Sequence, residues 1–218
     1  YVSGIHECYN ISILKADIKD FIFEEFFQPS ECIDQKNNLN FDGSPINGEF
    51  AGIQAGGKMI QYDDTNILLS IGDFRIRNLA QKKDSIFGKI ISVNLKNKNF
   101  NVVSMGHRNP QGMILHENTN EKYILSAEHG PKGGDEINLI KLNNANEIPN
   151  FGWPISSYGE HYDGKFRKDS PLYKSHSKYG FNEPIYYFKR SRLGVNQIIY
   201  SKKIIKNSIV KNYFVTSL

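Results

Sequence analysis

The chain has 218 residues, of which 39% are hydrophobic and 23% charged, so it can bury a core and is too apolar for a disordered protein. Its formal charge is +4, and its lysines and arginines are scattered, which argues against a nucleic-acid-binding surface. No apolar run reaches the roughly 18 residues of a membrane-spanning helix. We therefore expect a globular protein that neither binds nucleic acid nor spans a membrane.

Short apolar runs divided by turn residues predict an all-β protein. No segment has the 3.6-residue apolar stripe of an amphipathic helix, so helix is limited to a short turn within the polar segment 74–87. Residues 34–50, rich in Asn, Asp and Gly, have the composition of an inserted loop. The predicted strands cover residues 1–3, 11–18, 21–27, 58–62, 67–71, 89–95, 100–105, 112–116, 122–127, 136–142, 184–188, 196–200 and 212–218.

A loose internal repeat narrows the choice of architecture. The run 67–73 (ILLSIGD) is followed by a strand at 88–95, and the run 123–130 (YILSAEHG) is followed in the same way by one at 135–142. Repetition of such a unit favours a β-propeller, because one four-stranded blade cannot bury both of its faces alone. A β-sandwich is the alternative, since it also tolerates many short strands.

Two features concern the chain as a whole. It begins without Met inside one predicted strand and ends within another, so we expect a fragment that is cut at both ends. Its two cysteines, Cys8 and Cys32, would pair in an oxidising compartment and would otherwise remain reduced thiols near a β core. The sequence leaves both states of the cysteines open.

Three clusters combine glycine or proline with charged or amide side chains. They are 106–112 (GHRNPQG), 127–136 (AEHGPKGGDE) and 150–159 (NFGWPISSYG), and apolar runs separate them. This composition is typical of loops at the ends of short strands, where binding and catalytic groups usually lie.

These motifs, in this order and spacing, resemble the soluble glucose/sorbosone dehydrogenases over about residues 56–164. Members of that family are six-bladed β-propellers that oxidise aldose sugars with pyrroloquinoline quinone (PQQ) and calcium, and pass the electrons to an external acceptor. The resemblance implies that residues 1–218 form a single partial propeller domain of about four blades. It also implies a periplasmic or secreted location, although the sequence shows no signal peptide.

By this resemblance, Arg108 and Asn109 hold the quinone and meet the negative charge that develops on its reacting oxygen. Arginine suits this role because it stays charged and carries a rigid fork of donors. The backbone carbonyls of Gly130 and Pro131 would bind the calcium that also contacts the cofactor, since calcium takes oxygen ligands. Without the resemblance, the residues Arg108 and Asn109 would indicate a turn held by an arginine salt bridge, and Gly130 and Pro131 would indicate a plain tight turn.

Three more positions match family roles. Glu136 and the carbonyl of Phe151 would hold a second, structural calcium, although Glu136 also suits a surface strand. Asp73 matches the carboxylate that orients the catalytic base and raises its proton affinity, although aspartate after glycine is common in turns. We expect Trp153 to be a core residue.

The sequence departs from the family at 52–58, which reads GIQAGGK. The histidine that takes the proton from the anomeric hydroxyl is missing, and its position falls on Ile53 or Gln54, of which Gln54 would face the cofactor. Neither side chain titrates near neutral pH, so the loss of the base alone predicts turnover slower by roughly 10²- to 10⁴-fold. Of the six histidines, His107 belongs to the matched GHRNPQG motif and His129 precedes Gly130-Pro131, and we expect neither to replace the base readily. We expect His161 to lie in a surface loop.

Two other functions compete with a sugar dehydrogenase. One is a propeller that keeps the scaffold and is used for ligand or protein binding, which the missing histidine favours. The other is a calcium-dependent hydrolase such as a lactonase, which needs side-chain ligands that converge on one metal. The motifs provide backbone carbonyls instead, so the sequence favours the dehydrogenase.

Overall fold

This computed structural model describes residues 2–5, 8–34, 52–117, 122–142, 147–189, 194–205 and 208–217. Within these ranges the chain forms strands and two short 3₁₀ helices, Arg77–Gln81 and His176–Tyr179. The strands are β1 (Val2–Ile5), β2 (Cys8–Ile11), β3 (Ile13–Ala16), β4 (Phe23–Phe27), β5 (Ile33–Asp34), β6 (Gly56–Gln61), β7 (Asn66–Ile71), β8 (Lys89–Asn94), β9 (Phe100–Met105), β10 (Pro110–Glu117), β11 (Lys122–Glu128), β12 (Asp135–Lys141), β13 (Tyr186–Phe188), β14 (Val195–Ile205) and β15 (Ser208–Ser217).

Two four-stranded antiparallel sheets form the centre of the molecule. One has the order β6-β7-β8-β9 and the other β10-β11-β12-β13, so each is a meander of consecutive strands. The remaining strands form a three-stranded sheet (β1-β2-β5) and two hairpins (β3-β4 and β14-β15). The first strand β10 of the second meander packs against both β6 and β14. Meanders whose first strands lie side by side are the arrangement of propeller blades.

The core lies between successive sheets. A cluster that includes Leu68 and Ile90 from one meander and Met113 and Ile124 from the other joins the two sheets. Separate clusters join the first meander to the N-terminal strands, and the second meander to the β14-β15 hairpin. Because each meander is covered on both faces, its second strand is half-buried at its first two residues and then continuously buried to its end, with no alternation.

The structure confirms the all-β, propeller-type prediction, and the repeated runs are the equivalent second strands β7 and β11. One strand prediction is wrong: 11–18 is interrupted at Ser12, because β2 pairs with β1 and β5 whereas β3 pairs with β4. Most of the predicted loop 34–50 lies outside the described residues. Across the ranges given above, we find no helix with the length and apolar character needed to cross a membrane.

A disulfide joins Cys8 and Cys32, whose Cα atoms are 5.5 Å apart. It links β2 to the segment just before β5, which pairs with β2. Of the two states that the sequence leaves open, the structure contains the paired one.

Candidate active site

The meander topology brings four loop segments to one edge of the two central sheets. Residues 52–55 precede β6 and residues 72–75 follow β7, while 106–109 precede β10 and 129–131 follow β11. In an antiparallel meander the start of the first strand and the end of the second lie at the same edge. Backbone hydrogen bonds then tie the loops together, among them Asp73 N to Arg108 O (2.9 Å) and His129 N to Asn109 O (3.0 Å).

Gln54, not Ile53, occupies the position beside Asp73. The Gln54 amide satisfies both neighbours when its nitrogen donates to Asp73 Oδ1 (2.7 Å) and its oxygen accepts from Arg108 Nη2 (2.8 Å). The side chain of Ile53 is exposed. The structure thus brings together three residues that the sequence singled out: Gln54, Asp73 and Arg108.

The backbone around this contact is unusual for residues with side chains. Gln54, Phe74 and Arg75 all have positive φ, at 63°, 48° and 69°. Such conformations cost free energy and cluster at functional sites. Gly72 allows the close approach, because a Cβ at this position would collide with the Gln54 backbone. The motif SIGD therefore needs its glycine for packing.

Asp73 is fully buried and bonded on both oxygens. Trp153 Nε1 donates to Oδ2 (2.7 Å), and the Arg75 N–H donates to Oδ1 (2.8 Å). Burial raises the pKa of Asp73 to about 6, although Arg108 and the two hydrogen bonds act in the opposite direction. Asp73 can therefore orient its neighbours, but no solvent or ligand reaches it directly.

Arg108 lies at the centre of the site. Its Nη1 donates to the carbonyls of His129 (3.0 Å) and Gly130 (2.7 Å), and its guanidinium lies 5.4 Å from the centre of the Trp153 ring. Its Nε is buried and has no hydrogen-bond partner within the described part of the chain. Its neighbour Asn109 accepts from Gly56 N (3.0 Å) and so fixes the turn before β6.

A cavity of about 450 Å³ opens beside these residues. Its volume is within the range of roughly 300–1,000 Å³ found for small-molecule sites. The residues that line it are Ile53, Gln54, Arg75, Arg77, Arg108, Asn109, His129, His161, Tyr162, Asp163 and Arg167.

The three histidines considered above have different surroundings. His107 is buried away from the cavity, with Ser104 Oγ 2.8 Å from its Nε2 and Glu128 Oε2 2.8 Å from its Nδ1. His161 lines the cavity, but both of its nitrogens are bonded, to Arg77 Nη1 (3.2 Å) and to a backbone carbonyl. His129 also lines the cavity, and its Nε2 has no hydrogen-bond partner in the part of the chain described.

The carbonyls predicted to bind the first calcium already accept hydrogen bonds. Gly130 O accepts from Arg108, and Pro131 O accepts from Gly134 N (2.9 Å). A cation at Gly130 would meet the Arg108 guanidinium directly. No group of three or more His, Cys, Asp or Glu side chains that could hold a metal occurs in the described ranges. Because it faces a guanidinium, the Gly130 oxygen as arranged does not fit calcium.

The two ligands predicted for the second calcium, Glu136 and the carbonyl of Phe151, also contact another side chain. Glu136 is buried, not a surface residue, and burial raises its pKa. The imidazole of His176 lies between the two predicted ligands, with Nδ1 2.9 Å from Phe151 O and Nε2 3.4 Å from Glu136 Oε1. Glu136 and Phe151 are thus brought together as predicted, but around a histidine.

Sequence reasoning missed several residues of the site. Trp153 is buried as predicted, but it also bonds Asp73 and lies beside two guanidiniums, those of Arg77 and Arg108. His161, expected in a surface loop, is buried and lines the cavity, as does Arg167. One signal was available for Trp153: it is the only tryptophan of the chain and lies in a glycine- and proline-rich motif.

A family model described as Glucose / Sorbosone dehydrogenase matches residues 41–218. Aldose sugar dehydrogenase YliI of Escherichia coli (strain K12) is 29% identical over 149 residues, which make up 62% of this chain and 38% of the relative. Quinoprotein glucose dehydrogenase B of Acinetobacter calcoaceticus is 37% identical over 78 residues, or 31% of this chain and 15% of that protein. The chain thus spans less than half the length of these relatives.

Solved structures support the fold. The soluble aldose sugar dehydrogenase of Escherichia coli, crystallised in the apo form, gives a TM-score of 0.64 at 20% identity over 97% of this chain and 66% of that one. The PQQ-bound aldose sugar dehydrogenase of Streptomyces coelicolor gives 0.56 at 17% identity, over 99% and 61%. At these identities the likeness concerns the fold alone.

Proposed function

Because this chain belongs to the glucose/sorbosone dehydrogenase family, we propose that it forms part of an oxidoreductase that oxidises aldose sugars with PQQ and passes the electrons to an external acceptor. One observation carries the proposal: Gln54 and Arg108, which are distant in sequence, line one cavity side by side, and the buried Asp73 accepts a hydrogen bond from Gln54 behind it. The cationic lining suits a cofactor that carries three carboxylates. The buried, unpartnered Nε of Arg108 is a donor that such a ligand would satisfy.

When bound, the quinone would supply a hydride acceptor for C1 of the sugar. Arg108 and Asn109 would hold it, and the Arg108 guanidinium would stabilise the negative charge that develops on the reacting oxygen. Trp153 and Gln54 orient Arg108 in advance, so that little reorganisation is needed when the ligand binds.

The proton of the anomeric hydroxyl has no ordinary acceptor at the family position. Gln54 cannot titrate near neutral pH, and Asp73 behind it is fully buried. We infer that the proton passes to water, and that turnover is roughly 10²- to 10⁴-fold slower than with a histidine at this position.

Calcium takes no step in this mechanism, because its predicted ligands already accept hydrogen bonds. We propose an exported location, which the Cys8–Cys32 disulfide supports, since disulfides persist in oxidising compartments.

The test is a titration of the complete protein with PQQ, followed by glucose, with the quinone absorbance as the readout. We expect binding and slow reduction. Gln54→His should raise the rate by about 10²-fold or more, because it restores a general base beside Asp73. Ile53→His is the matched control: its exposed side chain should give no gain. A protein that binds no PQQ would contradict the proposal.

A second candidate function is a propeller that binds a ligand without oxidising it. The amide at Gln54 favours it, because the contact with Asp73 is kept while the titratable group is lost. In that case PQQ or a sugar would bind with no reduction of the quinone, and Gln54→His would leave the rate at zero.

A further inference from the structure

A chain of three buried polar side chains lies next to Arg108 without lining the cavity. Ser104 Oγ lies 2.8 Å from His107 Nε2, and His107 Nδ1 lies 2.8 Å from Glu128 Oε2. All three residues are more than nine-tenths buried, and none is among those that line the cavity. The order serine, histidine, acid is that of a hydrolase triad, but Ser104 has no exposed surface and cannot attack a substrate. The chain therefore acts on groups of the protein itself.

The chain ends on the main chain of Arg108. The other carboxylate oxygen of Glu128, Oε1, accepts a hydrogen bond from the Arg108 N–H. On the opposite side of the same residue, Arg108 O accepts from the Asp73 N–H (2.9 Å). Glu128 belongs to the second meander, whereas Asp73 follows the second strand of the first. The main chain of Arg108 is thus held from both central sheets.

The side chain of Arg108 returns to the segment that contains Glu128. Its Nη1 donates to the carbonyls of His129 and Gly130, the two residues that follow Glu128. Glu128 thus binds the main chain of Arg108, and Arg108 binds the main chain beside Glu128, although 20 positions separate the two in the sequence. Contacts at both ends of the arginine fix the position and the direction of its guanidinium.

The hydrogen atoms of the chain follow from the carboxylate. A carboxylate only accepts, so the hydrogen between His107 and Glu128 belongs to His107 Nδ1. In a neutral imidazole Nε2 is then the acceptor, to which Ser104 donates. The imidazole also stacks on the ring of Phe151, with 5.2 Å between the ring centres. Each polar side-chain atom of the chain has a partner, and a fully bonded buried network of this kind is rigid.

We propose that Glu128 and His107 are positioning residues of the dehydrogenase: they hold the Arg108 guanidinium where it stabilises charge on the quinone, and they contact neither the sugar nor the cofactor. The inference rests on the proposed function, because it concerns the charged group of the same site. Such stabilisation depends on donors that are fixed before the reaction, and a displacement of about 1 Å can cost roughly 10²-fold in rate. Loss of the contact with Glu128 should therefore slow the reaction more than it weakens cofactor binding.

The conservative variant is Glu128→Gln. Its amide oxygen can accept from the Arg108 N–H, and its NH₂ group can donate to His107 Nδ1 once the imidazole hydrogen moves to Nε2, which then donates to Ser104. Asn138, whose Nδ2 lies 3.4 Å from Glu128 Oε2, can turn its amide so that its oxygen accepts instead. All contacts of the Arg108 main chain are kept.

Nitrogen NMR of the His107 imidazole checks this assignment in the complete protein without cofactor. We expect the hydrogen on Nδ1 in the wild type and on Nε2 in Glu128→Gln, because the carboxylate must accept whereas the amide can donate. The same tautomer in both proteins would show that His107 does not bind this side chain, and would overturn the inference.

The disruptive variant is Glu128→Met, which removes both acceptor oxygens at similar volume. We expect the rate of quinone reduction by glucose in the complete protein to fall by about 10- to 100-fold, with little change in the PQQ affinity that calorimetry measures. His107→Leu leaves the contact between Glu128 and Arg108 in place and should lose less, while Glu128→Gln should keep most of the rate. Equal rates in Glu128→Gln and Glu128→Met would overturn the inference.

A further measurement also needs no cofactor. Hydrogen exchange at the Arg108 N–H should be at least about tenfold faster in Glu128→Met than in the wild type, while the amides at the centre of β8 change less. Ile124→Ala is the matched control, because Ile124 is fully buried in the same strand as Glu128 and packs in the core. It should lower the melting temperature but leave the rate of quinone reduction and the ratio of the two exchange rates unchanged. Equal acceleration at Arg108 and in β8 of Glu128→Met would indicate general destabilisation and reject the positioning role.

The two proposals can fail separately. If the wild type and Glu128→Met reduce PQQ equally fast, the dehydrogenase stands and the positioning role is rejected. If the protein binds no PQQ, the proposed function is rejected, and the exchange rate of the Arg108 N–H in Glu128→Met still decides whether Glu128 fixes Arg108.

Discussion

The two central sheets fix the loops at the cavity edge by opposite means. In each meander the first residue of the third strand reaches back into the loop before it. In the first sheet this residue is Lys89, whose Nζ donates to the carbonyls of Leu79, Ala80 and Phe87 (3.0, 3.0 and 2.8 Å). In the second it is Asp135, which accepts from the amides of Gly130 (2.9 Å) and Val195 (3.1 Å).

Lys89 occupies backbone carbonyls of its loop, whereas Asp135 occupies backbone N–H groups. The two loops therefore present different backbone groups to the site. In the loop whose carbonyls bind Lys89, the opposite end carries Asp73, which accepts hydrogen bonds from N–H groups. Where Asp135 collects amides, the carbonyl of Gly130 is turned toward Arg108. The first residue of the third strand thus determines, in each meander, whether carbonyls or N–H groups of the adjoining loop remain available at the cavity.

Lys89→Met should have the largest effect. It removes the donor of three hydrogen bonds in a fully buried site, and we expect the free energy of unfolding to fall by about 3–5 kcal/mol. Urea denaturation would measure this. Lys83→Met, in the same loop but exposed, should change stability by less than about 0.5 kcal/mol. Equal effects of the two substitutions would show that Lys89 does not fix the loop.

Asp73 should give the protein a distinctive pH dependence. Because its folded pKa is raised to about 6, the folded state holds more protons than the unfolded state between about pH 4 and pH 6, and stability falls as the pH rises through this window. The loss should approach about 2–3 kcal/mol. Urea denaturation of the wild type and of Asp73→Asn should show the difference, since the variant lacks this slope. If the stability of the wild type and of Asp73→Asn changed with pH in the same way, the carboxylate would not be buried as described.

Asp135→Asn should destabilise the second loop less than Lys89→Met destabilises the first. One acceptor oxygen remains for Gly130 or Val195, while the new NH₂ group faces a donor, so we expect a loss of about 1–2 kcal/mol. Asp64→Asn, at an exposed position, is the control. Hydrogen exchange at the Gly130 N–H should also become faster. An unchanged exchange rate would show that Asp135 does not fix this loop.

Calcium should have the smallest effect. The Gly130 carbonyl already faces Arg108, and Phe151 O already accepts from His176, so chelation should move the melting temperature by less than about 2 °C. Differential scanning calorimetry in chelator and in excess calcium would measure this. A large stabilisation by calcium would show that these contacts yield to the metal.

Much of the fold could be predicted because it depends on local composition. Short apolar runs with turns between them, repeated twice, indicate stacked meanders, and nearly all predicted strands appear within a few residues of their positions. The break at Ser12 could not be predicted, since the apolar run continues through it. Only pairing with different sheets separates β2 from β3.

The site could be predicted only where a motif carries it. Asp73, Arg108 and Gln54 lie in recognisable runs, and the structure brings them into contact. Arg77 and Arg167 come from loops about 90 residues apart that meet through Ser170 and His161, and no short-range pattern encodes such a meeting. The contacts of Arg108 with Gly130 O and of His176 with Phe151 O are likewise properties of tertiary packing.

The position of Trp153 has a practical consequence. Its indole is the only one in these 218 residues, and it lies between a buried carboxylate and the guanidiniums of two arginines that line the cavity. Charged neighbours shift the emission of an indole, so any ligand that rearranges Arg77 or Arg108 changes the intrinsic fluorescence of this domain. The chain thus carries a label-free reporter of cavity occupancy.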